Sequence, residues 1–214
     1  MTSDVHKYRD NLFDIKMRTS VITEHLNGTT STKYLITEVE YLCLQFRKIL
    51  ELIALSSMIA NKEEYSKQHE KFAKHYNARM ILQDLERINP NFYPRPTKQV
   101  LKEVDGERMF NLQPVIDGFL TREEFLVIYE KCGGMLHAEN PFGHKRDLKQ
   151  LRSEFPIWLT KIITLLNHHN ITLVDGETMI IGLMQGAEDG KPQVTEFKIV
   201  KGQEATKIKQ KFKL

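Results

Sequence analysis

The sequence predicts an α+β fold, mainly α: a helical bundle with a short β-hairpin and a small C-terminal antiparallel sheet. Three observations carry that prediction. The first 88 residues place apolar side chains at helical spacing, a capping-box sequence opens a further helix at Thr121, and from residue 171 onward the apolar period shortens to that of strands. At 214 residues with 41% hydrophobic content the chain can build an ordinary core. The division expected is a helical domain over 1–170, with a hairpin near 99–115, and a β appendage with a basic tail over 171–214.

The first helix is expected over about 4–27, where Val5, Tyr8, Leu12, Phe13, Ile15, Ile22 and Leu26 fall at near-helical spacing and Asn27-Gly28 gives a stop. The second, about 33–61, carries Val39, Leu42, Phe46, Leu50 and Ile53 on one side and further apolar residues on the others, so it should be surrounded. A third, about 62–88, has a narrower stripe of Phe72, Tyr76, Met80, Ile81, Leu85 and Ile88, and belongs on the bundle surface. "NPNFYPRP" ends it, because prolines cannot continue a helix. Two extended runs around Asp105-Gly106 predict the hairpin. Thr121 and Glu124 then predict a helix running to Gly133 or somewhat beyond.

A last helix is expected over about 146–169, re-phased at Pro156. Asp175-Gly176 and Asp189-Gly190 separate the strands that follow.

Net charge is +3 overall, but residues 201–214 hold five lysines against one glutamate, which leaves the first 200 residues at −1. Lys207, Lys209, Lys211 and Lys213 alternate with Ile208 and Phe212. They are candidate phosphate-binding residues of a basic arm, or the lysine face of an edge strand. The opening twenty residues lack an apolar signal core, and no run approaches the roughly 20 apolar residues of a membrane span. A cytoplasmic protein without membrane contact is expected. Cys43 and Cys132 do not make a disulfide framework and should be reduced and mostly buried.

Candidate chemistry sits in two places. Arg47 and Glu51 stand at i and i+4 in the most apolar helix, where charges are costly unless paired. They read either as an ion pair at the rim of the bundle or as the lining of a polar cleft, with the Arg47 fork open to phosphate. In "YEKCGGMLHAENPFG" (129–143), His137, Glu139 and Asn140 follow two glycines. An imidazole, a carboxylate and an amide could accept a proton and orient a substrate, or could punctuate a helix end. Other motifs fail. "HAE" lacks the P-C-x-x-C of zinc deaminases. His168 and His169, read on a helix, diverge too far to share a metal. No Walker loop, G-x-G-x-x-G or G-x-S-x-G is present. No metal or cofactor site is expected.

The order of features resembles HEPN-type (higher eukaryotes and prokaryotes nucleotide-binding) helical proteins, many of them bacterial and tied to defence or toxin systems. The similarity lies in R-x-x-x-E on a long apolar helix, "FRKILELI" at 46–53, followed by a helix that ends in the histidine-containing turn at 129–143. It implies RNA or nucleotide binding and a homodimer, and in active members metal-independent RNA cleavage. His137 would then act as acid or base, Arg47 would stabilise phosphate charge, and Glu51 and Asn140 would orient them. The family's R-x(4–6)-H occurs once, Arg18 to His25, and His137 has no arginine at that distance. That departure puts cleavage in doubt; the first reading stays an RNA- or nucleotide-binding protein, with RNA cleavage as its active form, and the alternative is a non-enzymatic interaction or regulatory protein with a degenerate site.

Overall fold

The computed structural model describes residues 3–68, 77–104, 107–143 and 145–199. Helix α1 (Ser3–Leu26) ends where Gly28 adopts φ +74°, a conformation that glycine enters without a Cβ penalty. Helix α2 (Leu35–Ala60) is the centre of the bundle, with Val39, Leu42, Cys43, Phe46, Ile49, Leu50 and Ile53 all buried. Burial of its five largest apolar side chains contributes on the order of 10 kcal/mol, at roughly 2 kcal/mol each. Tyr8, Leu12, Ile15 and Ile22 of α1 close one side of this core.

Among the described residues, the single surface helix expected over 62–88 appears as α3 (Lys62–Gln68) and α4 (Ala78–Ile88). The break is local chemistry. Asn77 takes an extended backbone conformation, and its side chain accepts a hydrogen bond from the Met80 amide, capping α4 afresh. Phe72 and Tyr76, placed on the expected stripe, lie outside the described residues, as do Asp105-Gly106 and the lysines at 207, 209, 211 and 213.

Strands β1 (Arg95–Val104) and β2 (Glu107–Pro114) form the expected hairpin, longer than its sequence signal. Helix α5 (Arg122–Met135) opens on the expected capping box: the Thr121 hydroxyl accepts from the Glu124 amide, and the Glu124 carboxylate accepts from the Thr121 amide, each at 3.2 Å. Helix α6 (Leu148–Leu166) runs straight through Pro156. Pro156 is exposed, so the Arg152 carbonyl that loses its donor there is on the solvent side, where the cost is small.

Helix α6 stops at Leu166, three residues short of expectation, and His168 begins strand β3 (His168–Thr172). Strands β4 (Thr178–Leu183) and β5 (Gln193–Lys198) follow, turning at Gly176 and Gly190, both at positive φ. All the strands belong to one antiparallel sheet in the order β2-β1-β3-β4-β5. The hairpin and the C-terminal strands are therefore continuous, joined at Arg95↔Asn170 and Pro96↔His169. Adjacent strand residues point to opposite faces, so His168 and His169 do not share a side. His169 stacks toward Tyr8 of α1, which fixes that face as the core face. Ile171, Ile180 and Val194 share it and are buried. No described helix is long and apolar enough to cross a membrane.

Candidate functional site

Arg47 and Glu51 do meet, with Nε 3.3 Å from Oε1, and their side chains are 25% and 17% exposed. The residue that organises them is Tyr129 of α5. Arg47 Nη2 donates to the Tyr129 hydroxyl at 2.7 Å and Nη1 to its backbone carbonyl at 3.3 Å, while the guanidinium carbon lies 4.0 Å from the ring centroid. The hydroxyl donates in turn to Glu51 Oε1 at 3.5 Å and accepts from the backbone amide of Ala78, the first residue of α4. Burial pushes the phenol above its ordinary range; Arg47 opposes that shift and Glu51 adds to it. Three helices are thus pinned at one hydroxyl.

Gly133 gives this cluster its room. A Cβ at that position would sit 2.5 Å from Arg47 Nη1, closer than side chains tolerate, so the guanidinium lies directly on the α5 backbone. Next to it, one turn before Arg47 and one residue before Gly133, the two cysteines come together. Both are free and buried, and contact with Cys43 followed by burial pushes the Cys132 thiol well above its ordinary range. A thiol in that state is a poor nucleophile.

His137 and Asn140 lie elsewhere in the bonding pattern. Both are exposed, beyond the end of α5, and neither hydrogen-bonds Arg47 or Glu51. The His137 carbonyl accepts from Arg146 Nη1 at 3.1 Å, and Glu139 Oε1 accepts from the Arg146 amide at 3.0 Å. Asn140 closes its own turn, its side chain accepting from the Phe142 amide and its carbonyl from Gly143. These bonds tie the 136–147 loop to itself. The polar run after the glycines is built as a helix end, and its imidazole makes no hydrogen bond among the described residues.

Arg18 and His25, the one R-x(4–6)-H match, share the α1 face toward α2 but do not bond to each other. Arg18 Nη1 reaches Gln45 at 2.9 Å and Nε reaches Asp14 at 3.0 Å, while the buried His25 ring lies 4.9 Å from that of Tyr41. Among the described residues, no three His, Cys, Asp or Glu side chains gather as metal ligands.

Sequence reasoning passed over Tyr129, although it opens the quoted stretch and stands four residues before Gly133, on the same helical face. That spacing was the available signal: Cys43, Arg47 and Glu51 repeat at four on α2, opposite Tyr129, Cys132 and Gly133 on α5. His169, which the sequence presents only as a rejected metal ligand on a helix, is wholly buried with Nε2 2.8 Å from the Tyr8 hydroxyl and Nδ1 2.8 Å from the Leu166 carbonyl. No family model, curated protein or solved structure matches the chain.

Proposed function

We propose that the chain is a non-enzymatic binding or regulatory protein, in which the arginine and glutamate of the central helix hold the scaffold and partner contacts do the work. The observation that carries this reading is the state of Arg47. Each of its three nitrogens already has a protein partner, a carboxylate lies beside it, and the nearest turn of α5 packs against it. These contacts use three of the five guanidinium N–H donors, so a phosphate at this point would share Arg47 with Tyr129 and meet the negative charge of Glu51 beside it. The competing reading, metal-independent RNA cleavage, needs the His137 ring beside a phosphate-binding arginine, whereas the arginine bonded to the His137 segment is Arg146, through the His137 carbonyl. The same reading places the protein in the cytoplasm, in keeping with its two unpaired thiols.

The test is cleavage of a mixed-sequence single-stranded RNA by the full chain in the presence of a chelator, with His137→Ala alongside. The expected result is intact RNA with both proteins and an unchanged melting temperature for the variant. Cleavage by the parent that His137→Ala abolishes, with folding retained, would overturn the proposal in favour of a ribonuclease.

A further inference from the structure

Helix α2 is apolar on nearly every side, and a helix of that kind is one that other elements surround. Among the described elements it is surrounded on three sides only. Helix α1 approaches along Gln45 and Ser56, α6 along Phe46, and α5 and α4 on the side of Arg47. The fourth side carries Tyr41, Leu44, Leu52, Leu55 and Ile59, which fall on one helical stripe. Leu44 is 37% exposed and the other four are half-buried. Lys48 is the one charged residue within the stripe, and Glu51 draws its ammonium to the flank, accepting from it at 3.2 Å.

Helix α1 widens this face. Arg18 donates to Gln45 at 2.9 Å, and Ile15 and Ile22 point into the core, so Met17 and Val21, on the opposite side of α1, stand beside the stripe. Met17 is 50% exposed. From Tyr41 to Ile59 the face is about 27 Å long, and two helices each about 10 Å wide give it roughly 540 Å² in projection. Its corrugated accessible area is larger, which brings it to the roughly 600 Å² per partner at which stable interfaces begin.

The stripe is also close to palindromic. About the level of Leu50, Tyr41 and Ile59 lie nine positions to either side, Lys48 and Leu52 two, and Leu44 and Leu55 six and five. A two-fold axis demands that symmetry, because in an isologous interface residue i meets j and j meets i. We propose that this face binds a second copy of the chain, with the two α2 helices antiparallel about an axis at the level of Leu50. Tyr41 then meets Ile59 of the partner subunit, and Leu44 meets Leu55 of the partner subunit. The Lys48 stem lies on Leu52 of the partner subunit while its ammonium stays at Glu51. The helix that its composition requires to be surrounded is closed on all sides by this pairing. Neither Arg47 nor His137 takes part, so the interface stands independently of the reading of the chain as a non-enzymatic protein.

Sedimentation of the full chain tests this. An interface at the small end of the stable range gives a micromolar dissociation constant, so the mass should rise from one chain to two between roughly 1 and 100 µM. Leu44→Glu and Met17→Glu alter side chains already open to water and leave the helical content of the monomer unchanged. Each should raise the dissociation constant at least about tenfold, because a charge is then buried against an apolar face. The register is read by Tyr41→Cys and Ile59→Cys, since Cys43 and Cys132 are buried. A short bifunctional thiol reagent should join the two variants when they are mixed and neither to itself, because the two copies of residue 41 are about 27 Å apart in the antiparallel pair. A monomer at roughly 100 µM overturns the proposal. A dimer that both glutamate variants leave intact overturns it as well, because the interface then lies elsewhere, and Tyr41→Cys joined to itself overturns the antiparallel pairing. None of these outcomes bears on RNA cleavage, so the two proposals fail separately.

Discussion

Acidification should weaken the protein through one buried imidazole, well above the pH at which its carboxylates titrate. His169 Nδ1 faces the Leu166 carbonyl and must donate to it, which leaves Nε2 as the acceptor of the Tyr8 hydroxyl. The neutral ring makes both bonds without placing a charge in the core, and the ring has no solvent contact. Burial pushes its pKa down to about 4; the Leu166 carbonyl opposes the shift, and the neighbouring His168 adds to it slightly. The unfolded chain has an ordinary histidine near 6.5. Between those values the unfolded state binds the extra proton, so the contribution is fully present above about pH 6.5 and is lost as pH falls toward 4. The loss is about 2 kcal/mol at pH 5 and roughly 3 kcal/mol below pH 4.

His168, also depressed by burial, acts in the same direction. Asp175 and Asp4, held below the usual carboxylate range, add their losses only at more acid pH. Urea unfolding from pH 7.5 to 5 should therefore show a declining free energy, and the His169 ring resonances should stay in their neutral position across that range. A ring that titrates near 6.5, or a stability that is level from pH 7 to 5, would refute the burial argument.

Two further outcomes follow from the α2–α5 junction. Gly133→Ala should cost about 1–3 kcal/mol by forcing Arg47 off Tyr129, whereas Gly134→Ala, where an added Cβ meets nothing within 4 Å, should be neutral or stabilising. Equal urea midpoints for the two would show that the guanidinium does not occupy that space. Cys43 and Cys132 should resist a disulfide-exchange reagent in the native protein and react together once it is unfolded; rapid labelling of either in the native state would contradict their burial.

The features legible in the sequence are those whose causes lie within a few residues. The Thr121–Glu124 box, the Gly28 stop and the Asp175-Gly176 and Asp189-Gly190 turns each satisfy their own backbone groups, so four or five letters suffice. The α3–α4 break does not show in the apolar stripe, because the cap that restarts the helix is a polar one, the Asn77 side chain on the Met80 amide. The end of α6 was missed for a different reason. Nothing in "LLNHHN" demands a strand; the demand comes from Tyr8, 161 positions away, and from Gly182, which leaves space for the His169 ring. The candidate site shows the same limit. The Arg47–Glu51 pair is a helix repeat and can be read directly, but its partner Tyr129 is 82 positions away. The bonds at His137 and Asn140, by contrast, run to near neighbours, Arg146 and Phe142.

The pairing of Arg95 with Asn170 also sets an order of events in time. The β1–β2 hairpin can close as soon as it leaves the ribosome, yet a two-stranded ribbon alone is marginal in water. Its neighbour β3 arrives only after two helices have been synthesised between them. Contacts so distant along the chain slow folding, because the intervening loop must be closed before they give any return. The α1–α2 pair, made of near neighbours in sequence, can assemble early and wait. Arrested nascent chains that stop before residue 168 should therefore carry a protected helical pair and an unprotected hairpin, with the sheet closing only after translation has passed β3.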